Sequence, residues 1–206
     1  MKYSIDIDGD CKLTYYYSGG RVRRETWYQG GKIHRDGDPA VISYYPDGSV
    51  ESEEWWQDGK RRRDDAPAVT YYYPDGSKRE TWYRNGKVHH DDAPAVIEYY
   101  PDGSVFCEEW WRDDKPHRED APAVTHYGAD GSVRSEIWCR DGELHRDGAP
   151  ATIDYYPDGS VESEEWWQNN RRYRDGGAAI VEYHRDGSVK SEGCFPDGAG
   201  VDPAES

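Results

Sequence analysis

Aliphatic bulk is what this chain has least of. Of 206 residues, 34% are hydrophobic, with 1 Met and 2 Phe against 18 Tyr and 9 Trp. That excludes the large aliphatic core of an ordinary globular domain. Long apolar runs are missing too. None approaches the roughly 20 residues that span a bilayer, and the opening MKYSIDIDGD lacks the apolar stretch of a signal peptide. A cytoplasmic address is therefore expected, with no membrane contact. Positive charge is short: 26 Lys and Arg face 42 Asp and Glu, a net charge of −16. Such a field repels nucleic acid and anionic surfaces and attracts basic partners; direct nucleic-acid binding is not expected. The 4 cysteines show neither metal nor disulfide spacing. They replace other residues at repeat positions, so four free thiols are expected.

What is there is a repeat. Tyr44 to Gln57, YYPDGSVESEEWWQ, returns letter for letter as Tyr155 to Gln168. Turn glycines recur about every 28 residues, at Gly20, Gly48, Gly76, Gly103, Gly131, Gly159 and Gly187. A fixed period of this size means one supersecondary unit stacked on copies of itself. Each copy then buries its face on its neighbours, so no single large core is needed.

Within a unit, Ala40 to Tyr45 is rich in β-branched and aromatic residues, as strands are. Pro46-Asp47-Gly48 follows, and this order predicts a type I turn closed by a glycine bulge. Val50 to Trp56 makes the return strand, Asp58-Gly59 turns the chain again, and Lys60 to Arg63 forms a short third strand. No window sustains a 3.6 period, so helix is not expected. The fold class read here is all-β: tandem antiparallel hairpins in an elongated twisted sheet or solenoid, with a closed toroid or propeller-like ring as the alternative. Residues 1–11 read as a lead-in, 12–195 as one repeat domain of about seven hairpins, and 196–206 as a disordered tail. A two-residue loop would slip the register by one; with a three-residue bulged loop, Tyr44 lies opposite Val50 and Ile42 opposite Ser52. Alternation then puts Ala40, Ile42, Tyr44, Val50, Ser52 and Trp56 on the packing face, with Val41, Ser43, Tyr45, Glu51, Glu53 and Trp55 on the other.

The run Trp55-Trp56-Gln57-Asp58-Gly59-Lys60, with its Tyr-Tyr-Pro-Asp-Gly-Ser partner, resembles the MORN repeat. Trp82, Gly86, Lys87 and His89 fit that pattern, as do Trp138, Gly142 and His145. The likeness runs from about Cys11 to Asp197. The period here is longer, and Arg-Asp-Asp-Ala-Pro-Ala stands where the family has glycines. The resemblance implies an elongated antiparallel sheet used for protein contacts.

Metal chemistry is weighed at two places. His34, His89, His117 and His145 share one slot beside Asp36, Asp91, Glu119 and Asp147, but Arg62 and Tyr173 fill it elsewhere. Zinc needs three or four converging ligands, whereas this slot occurs once per unit, so a hydrogen-bonded ladder is expected. Asp6-Ile7-Asp8-Gly9-Asp10 comes nearest to a calcium loop but lacks the distal glutamate. No cofactor and no metal are expected.

The candidate partner-binding residues form two columns. Two places before each tryptophan stands a glutamate: Glu25, Glu53, Glu80, Glu108, Glu136 and Glu164 precede Trp27, Trp55, Trp82, Trp110, Trp138 and Trp166. Glu192 continues the glutamates. A parallel column of Arg35, Arg63, Arg118, Arg146 and Arg174 has His90 in the remaining place. The glutamates read either as half of a Glu–Arg ladder between units or as a carboxylate stripe displayed to a cationic partner. Catalytic constellations require unique residues in one pocket, and here almost every candidate is a repeat-position residue present several times. The expectation is a non-enzymatic binding protein with a basic protein partner, in its most specific form an inhibitor, immunity protein or nucleic-acid mimic. A carbohydrate or small-ligand module using tryptophan platforms, and a self-assembling structural array, are the alternatives. No feature fixes an oligomeric state.

Overall fold

The computed structural model describes residues 2–5 and 11–194; the 196–206 segment and the Asp6–Asp10 run lie outside them. The chain divides into two compact units, residues 1–104 and 105–206. Every element is a β-strand, and among the described residues no helix is long and apolar enough to cross a membrane.

The first unit is a meander. Lys2–Ile5, Cys11–Tyr16, Val22–Gln29, Val41–Tyr44, Val50–Glu54, Val69–Tyr72, Lys78–Thr81 and Val96–Tyr99 follow one another as hydrogen-bonded antiparallel neighbours. The second unit repeats the plan with Val105–Glu109, Val124–Tyr127, Val133–Ile137, Thr152–Tyr155, Val161–Glu165, Ile180–Tyr183 and Val189–Gly193. Each sheet is open: among the described residues, the first and last strands of a unit do not pair. Six of the seven expected hairpins lie whole within a unit. The strands of the other, Val96–Tyr99 and Val105–Glu109, fall one to each unit.

Two kinds of turn punctuate the first six copies. At the long hairpin, Gly48 N–H donates to Tyr45 O at 2.9 Å and Tyr45 N–H to Ser49 O at 2.9 Å. Gly48 has φ 99, a left-handed value that glycine adopts without Cβ strain. This is the bulged three-residue loop that the Pro-Asp-Gly order predicts. A short two-stranded hairpin branches off after each tryptophan, for instance Trp56–Gln57 with Lys60–Arg61. Its turn residues Asp58 and Gly59 have φ 50 and 77, both positive, as the hairpin-favouring type I′ turn requires.

The register departs from the expected one by a single residue. Tyr44 does face Val50, but Ser43 then pairs with Ser52, Ile42 with Glu53 and Val41 with Glu54. Glu51 is bulged out, which exchanges the faces beyond it. Ser52 therefore lies with Val41 and Ser43, and Ile42 with Glu53, correcting the assignment by strict alternation. The same shift leaves Arg23, Arg134, Glu162 and Lys190 extra in their hairpins. All five bulged residues are charged, and Arg23, Glu162 and Lys190 are exposed to solvent.

The third hairpin proves the point. Its ladder from Lys78↔Tyr72 to Thr81↔Val69 runs without a shift. Its sequence is one residue shorter between turn glycine and tryptophan, Gly76 to Trp82 against Gly48 to Trp55. What is missing is the bulge, and the ladder beyond it is preserved.

The core is thin, as the composition requires. Ala40, Ala68, Ala95, Ala123 and Ala151 are fully buried, and Val41, Val69 and Val96 are the largest fully buried side chains. Burying one valine is worth about 1.5–3 kcal/mol, so the aliphatic contribution per repeat is small. Aromatic and polar contacts between repeats carry the rest.

Candidate functional site

Each column tryptophan stands where the main sheet branches into a short hairpin. Trp55 N–H donates to Ala68 O of the next repeat at 2.7 Å, and Trp55 O accepts from Arg62 N–H at 3.0 Å. The same pair of bonds recurs at Trp27, Trp82, Trp110, Trp138 and Trp166. This backbone fork fixes the indoles in register, and all are half-buried except Trp166, which is buried.

The glutamate column has a tyrosine partner, not an arginine. Tyr44 donates its hydroxyl to Glu25 Oε2 at 3.0 Å, Tyr72 to Glu53 at 3.1 Å, Tyr99 to Glu80 at 2.9 Å and Tyr127 to Glu108 at 2.9 Å. Tyr155 and Tyr183 do the same to Glu136 and Glu164, at 3.2 and 2.8 Å. Glutamate and tyrosine are 19 residues apart in all six bonds. Burial, and then the adjacent carboxylate, push Tyr44, Tyr127 and Tyr183 up to about 12. These glutamates are half-buried structural acceptors between successive hairpins.

The arginines lie over the tryptophans instead. Arg35, Arg63, Arg118, Arg146 and Arg174 place their guanidinium carbons 4.1, 3.9, 3.8, 3.6 and 3.6 Å from the ring centroids of Trp27, Trp55, Trp110, Trp138 and Trp166. Four of them also donate to a carbonyl four residues on: Arg35 to Pro39, Arg118 to Pro122, Arg146 to Pro150 and Arg174 to Ala178. Each such guanidinium is clamped between an indole face and the inter-repeat link. His90 breaks the series, meeting Trp82 edge-on with centroids 6.1 Å apart.

A second carboxylate column escapes a reading based on the first. Glu54, buried, accepts from Trp56 Nε1 at 3.1 Å and Arg61 Nε at 3.0 Å, and Glu109 and Glu165 accept from Trp111 and Trp167. The sequence does carry its signal. Glutamate precedes Trp-Trp in these copies, whereas threonine precedes Trp-Tyr at Thr26 and Thr81. The shorter residue accompanies the ring that lacks an indole N–H.

The slot histidines bridge repeats. His34 Nδ1 accepts the backbone N–H of Asp58 at 3.1 Å, and its Nε2 faces Asp36 at 3.2 Å. His117 accepts from Asp141 N–H at 3.0 Å, and His145 pairs with Asn169 and Asp147 at 2.9 and 3.0 Å. Among the described residues no group of three or more His, Cys, Asp or Glu converges as a metal site. Among the described residues no disulfide joins two cysteines, and burial pushes the Cys139 thiol up to about 11, far from a reactive thiolate.

One set of solvent-facing carboxylates sits at the hairpin tips. Asp47 Oδ1 accepts from Ser49 N–H at 2.8 Å and from its hydroxyl at 2.6 Å. Asp75, Asp102, Asp130, Asp158 and Asp186 make the same pair of bonds with the serine two residues on. The serine hydroxyl, then its backbone N–H, holds each of the six below the ordinary aspartate range.

No protein-family model and no curated protein matches the chain. Among solved structures it is similar to "Crystal Structure of TcdB2-TccC3" at 13% identity and TM-score 0.22, covering 86% of this chain and 12% of that one. A second, "Crystal Structure of TcdB2-TccC3-TEV", gives 13% identity and TM-score 0.15, over 89% and 11%. The chain thus spans about an eighth of those chains, and likeness at that level carries no functional argument.

Proposed function

We propose that this chain is a non-enzymatic acidic repeat protein, a MORN-like variant, that binds a basic protein partner. The observation that carries the reading is a row of three exposed tip aspartates in each unit, each aspartate held by its own serine below the ordinary carboxylate range. With a net charge of −16 behind it, such a row supplies a field that steers a cationic surface into place. The half-buried Glu–Tyr and Arg–Trp columns act as the scaffold that sets the spacing. A carboxylate row at repeat intervals also suits an inhibitor, an immunity protein or a mimic of nucleic-acid phosphates.

The test is capture from a native extract at low and high salt, with mass spectrometry and a variant carrying D47N, D75N and D102N. The expected result is a basic protein that elutes as salt shortens the screening length to below about 8 Å and that the variant holds weakly. Capture indifferent to both salt and neutralisation would sink the proposal.

A further inference from the structure

A groove of about 460 Å³ opens in the first unit between the short hairpin around Arg62 and the one carrying Trp82. Three arginines line it, and each is engaged: Arg62 with Asp64 at 2.9 Å, Arg84 with Asp91 at 2.5 Å, and Arg63 over the Trp55 ring at 3.9 Å. Asp92 also lines the groove and makes no ion pair with any described residue. With Arg63 on a ring and not on a carboxylate, three arginines face three aspartates and the wall is formally neutral, Asp92 being its carboxylate without an ion-pair partner. Trp82 forms part of the wall, and it is the column tryptophan over which no guanidinium lies.

The chain itself shows what fits such a ring. In five repeats the place over the indole is held by an arginine from the same link, 3.6–4.1 Å from the centroid. At Trp82 the residue in that place is His90. Its Nδ1 is turned into the link, where it accepts the backbone N–H groups of Asp92 and Ala93 at 3.3 and 3.1 Å. The carbonyl of Pro94, counterpart of those that receive Arg35, Arg118 and Arg146, has no side-chain donor among the described residues. This is the same copy that lacks the bulge residue, so two departures from the repeat coincide in one hairpin.

Resting on the reading of a basic partner, we propose that this groove receives an arginine side chain of that partner. The guanidinium would complete in trans the stack that the other repeats complete in cis, with Asp92 neutralising it. Guanidinium suits the site better than ammonium, because it is planar, weakly hydrated and able to stack while donating in its own plane.

The test uses the full chain and three probes: an oligo-arginine peptide, its oligo-lysine counterpart, and one with citrulline for arginine. The wild type is expected to prefer oligo-arginine, with the Trp82 indole N–H resonance shifting on titration. His90→Arg, which fills the place in cis, is expected to weaken that binding about tenfold, the size of a partly desolvated cation–π contact, while melting no lower than wild type. Asp92→Asn, an exposed change, is expected to weaken it without altering the fold and serves if His90→Arg melts early. Equal oligo-arginine affinity in wild type and both variants would overturn the groove assignment and leave the basic-partner reading standing. Equal preference for oligo-lysine would overturn the guanidinium assignment. No binding of any cationic probe at low salt would overturn both proposals.

Discussion

Tyr127 and Glu108 join neighbouring hairpins through one hydrogen bond of 2.9 Å, and five other Tyr–Glu pairs repeat it at the same sequence separation. The bond needs a neutral phenol that donates and an ionised carboxylate that accepts. Both partners are half-buried, so losing either leaves the other poorly solvated.

Tyr127→Phe should therefore cost about 1.5–3 kcal/mol, the range for a hydrogen bond to a charged group, measured by denaturant unfolding. Alkali should act on the whole column. The folded pKa of Tyr44, Tyr72, Tyr127, Tyr155 and Tyr183 is raised to about 12, above the roughly 10 of an unfolded chain. The folded state thus holds the proton more tightly. Their contribution is complete below pH 10 and is lost as pH rises toward 12. Melting temperature against pH, with phenolate absorbance followed alongside, checks this; phenolates appearing well before unfolding would contradict it.

Acid should act at the hairpin tips. The six tip aspartates have folded pKa values below their ordinary range, so their contribution is present above the unfolded value of about 4 and is lost as pH falls through the folded values. Asp102→Asn should lower the melting temperature at neutral pH and flatten its decline in acid. An unchanged acid limb would show that the tips carry no stability.

Glu119 offers a gain. His117 is buried, its Nε2 has no hydrogen-bond partner, and Glu119 Oε1 stands 3.8 Å away. In the equivalent places, Asp36, Asp91 and Asp147 approach their histidines to 3.2, 3.0 and 3.0 Å. Glu119→Asp should close that bond and stabilise the fold by about 0.5–1.5 kcal/mol. A melting temperature equal to wild type would show that the acid's arm length is not the cause.

The short-hairpin turn at Asp113-Asp114 has φ 50 and 67 without a glycine, whereas Asp141-Gly142 and Asn85-Gly86 have one. A left-handed conformation costs a residue with Cβ roughly 1 kcal/mol. Asp114→Gly should therefore raise stability by about 0.5–1 kcal/mol, read in the same denaturant titration. A loss would mean that the Asp114 side chain supports the turn.

The sequence determined the all-β architecture, the two turns per copy and the bulged Tyr-Pro-Asp-Gly-Ser loop. Each is a local matter: glycine and asparagine or aspartate relieve a positive φ, proline presets one turn angle, and the period repeats the arrangement. The tyrosine partner of each glutamate was also present as a constant spacing, though the spacing alone does not say which two side chains meet. Tertiary structure decided that. One bulged residue, Glu51 or its counterpart, exchanges the faces of a strand, and strict alternation from the turn therefore paired Ile42 with Ser52 instead of Glu53. Whether Arg63 meets a carboxylate or an indole was likewise settled between strands: the half-buried carboxylate took the tyrosine hydroxyl, and the guanidinium, the more weakly hydrated ion, took the ring. The groove at Trp82 lies in the copy that has histidine where five others have arginine, and only the stacked neighbours show what that place ordinarily holds.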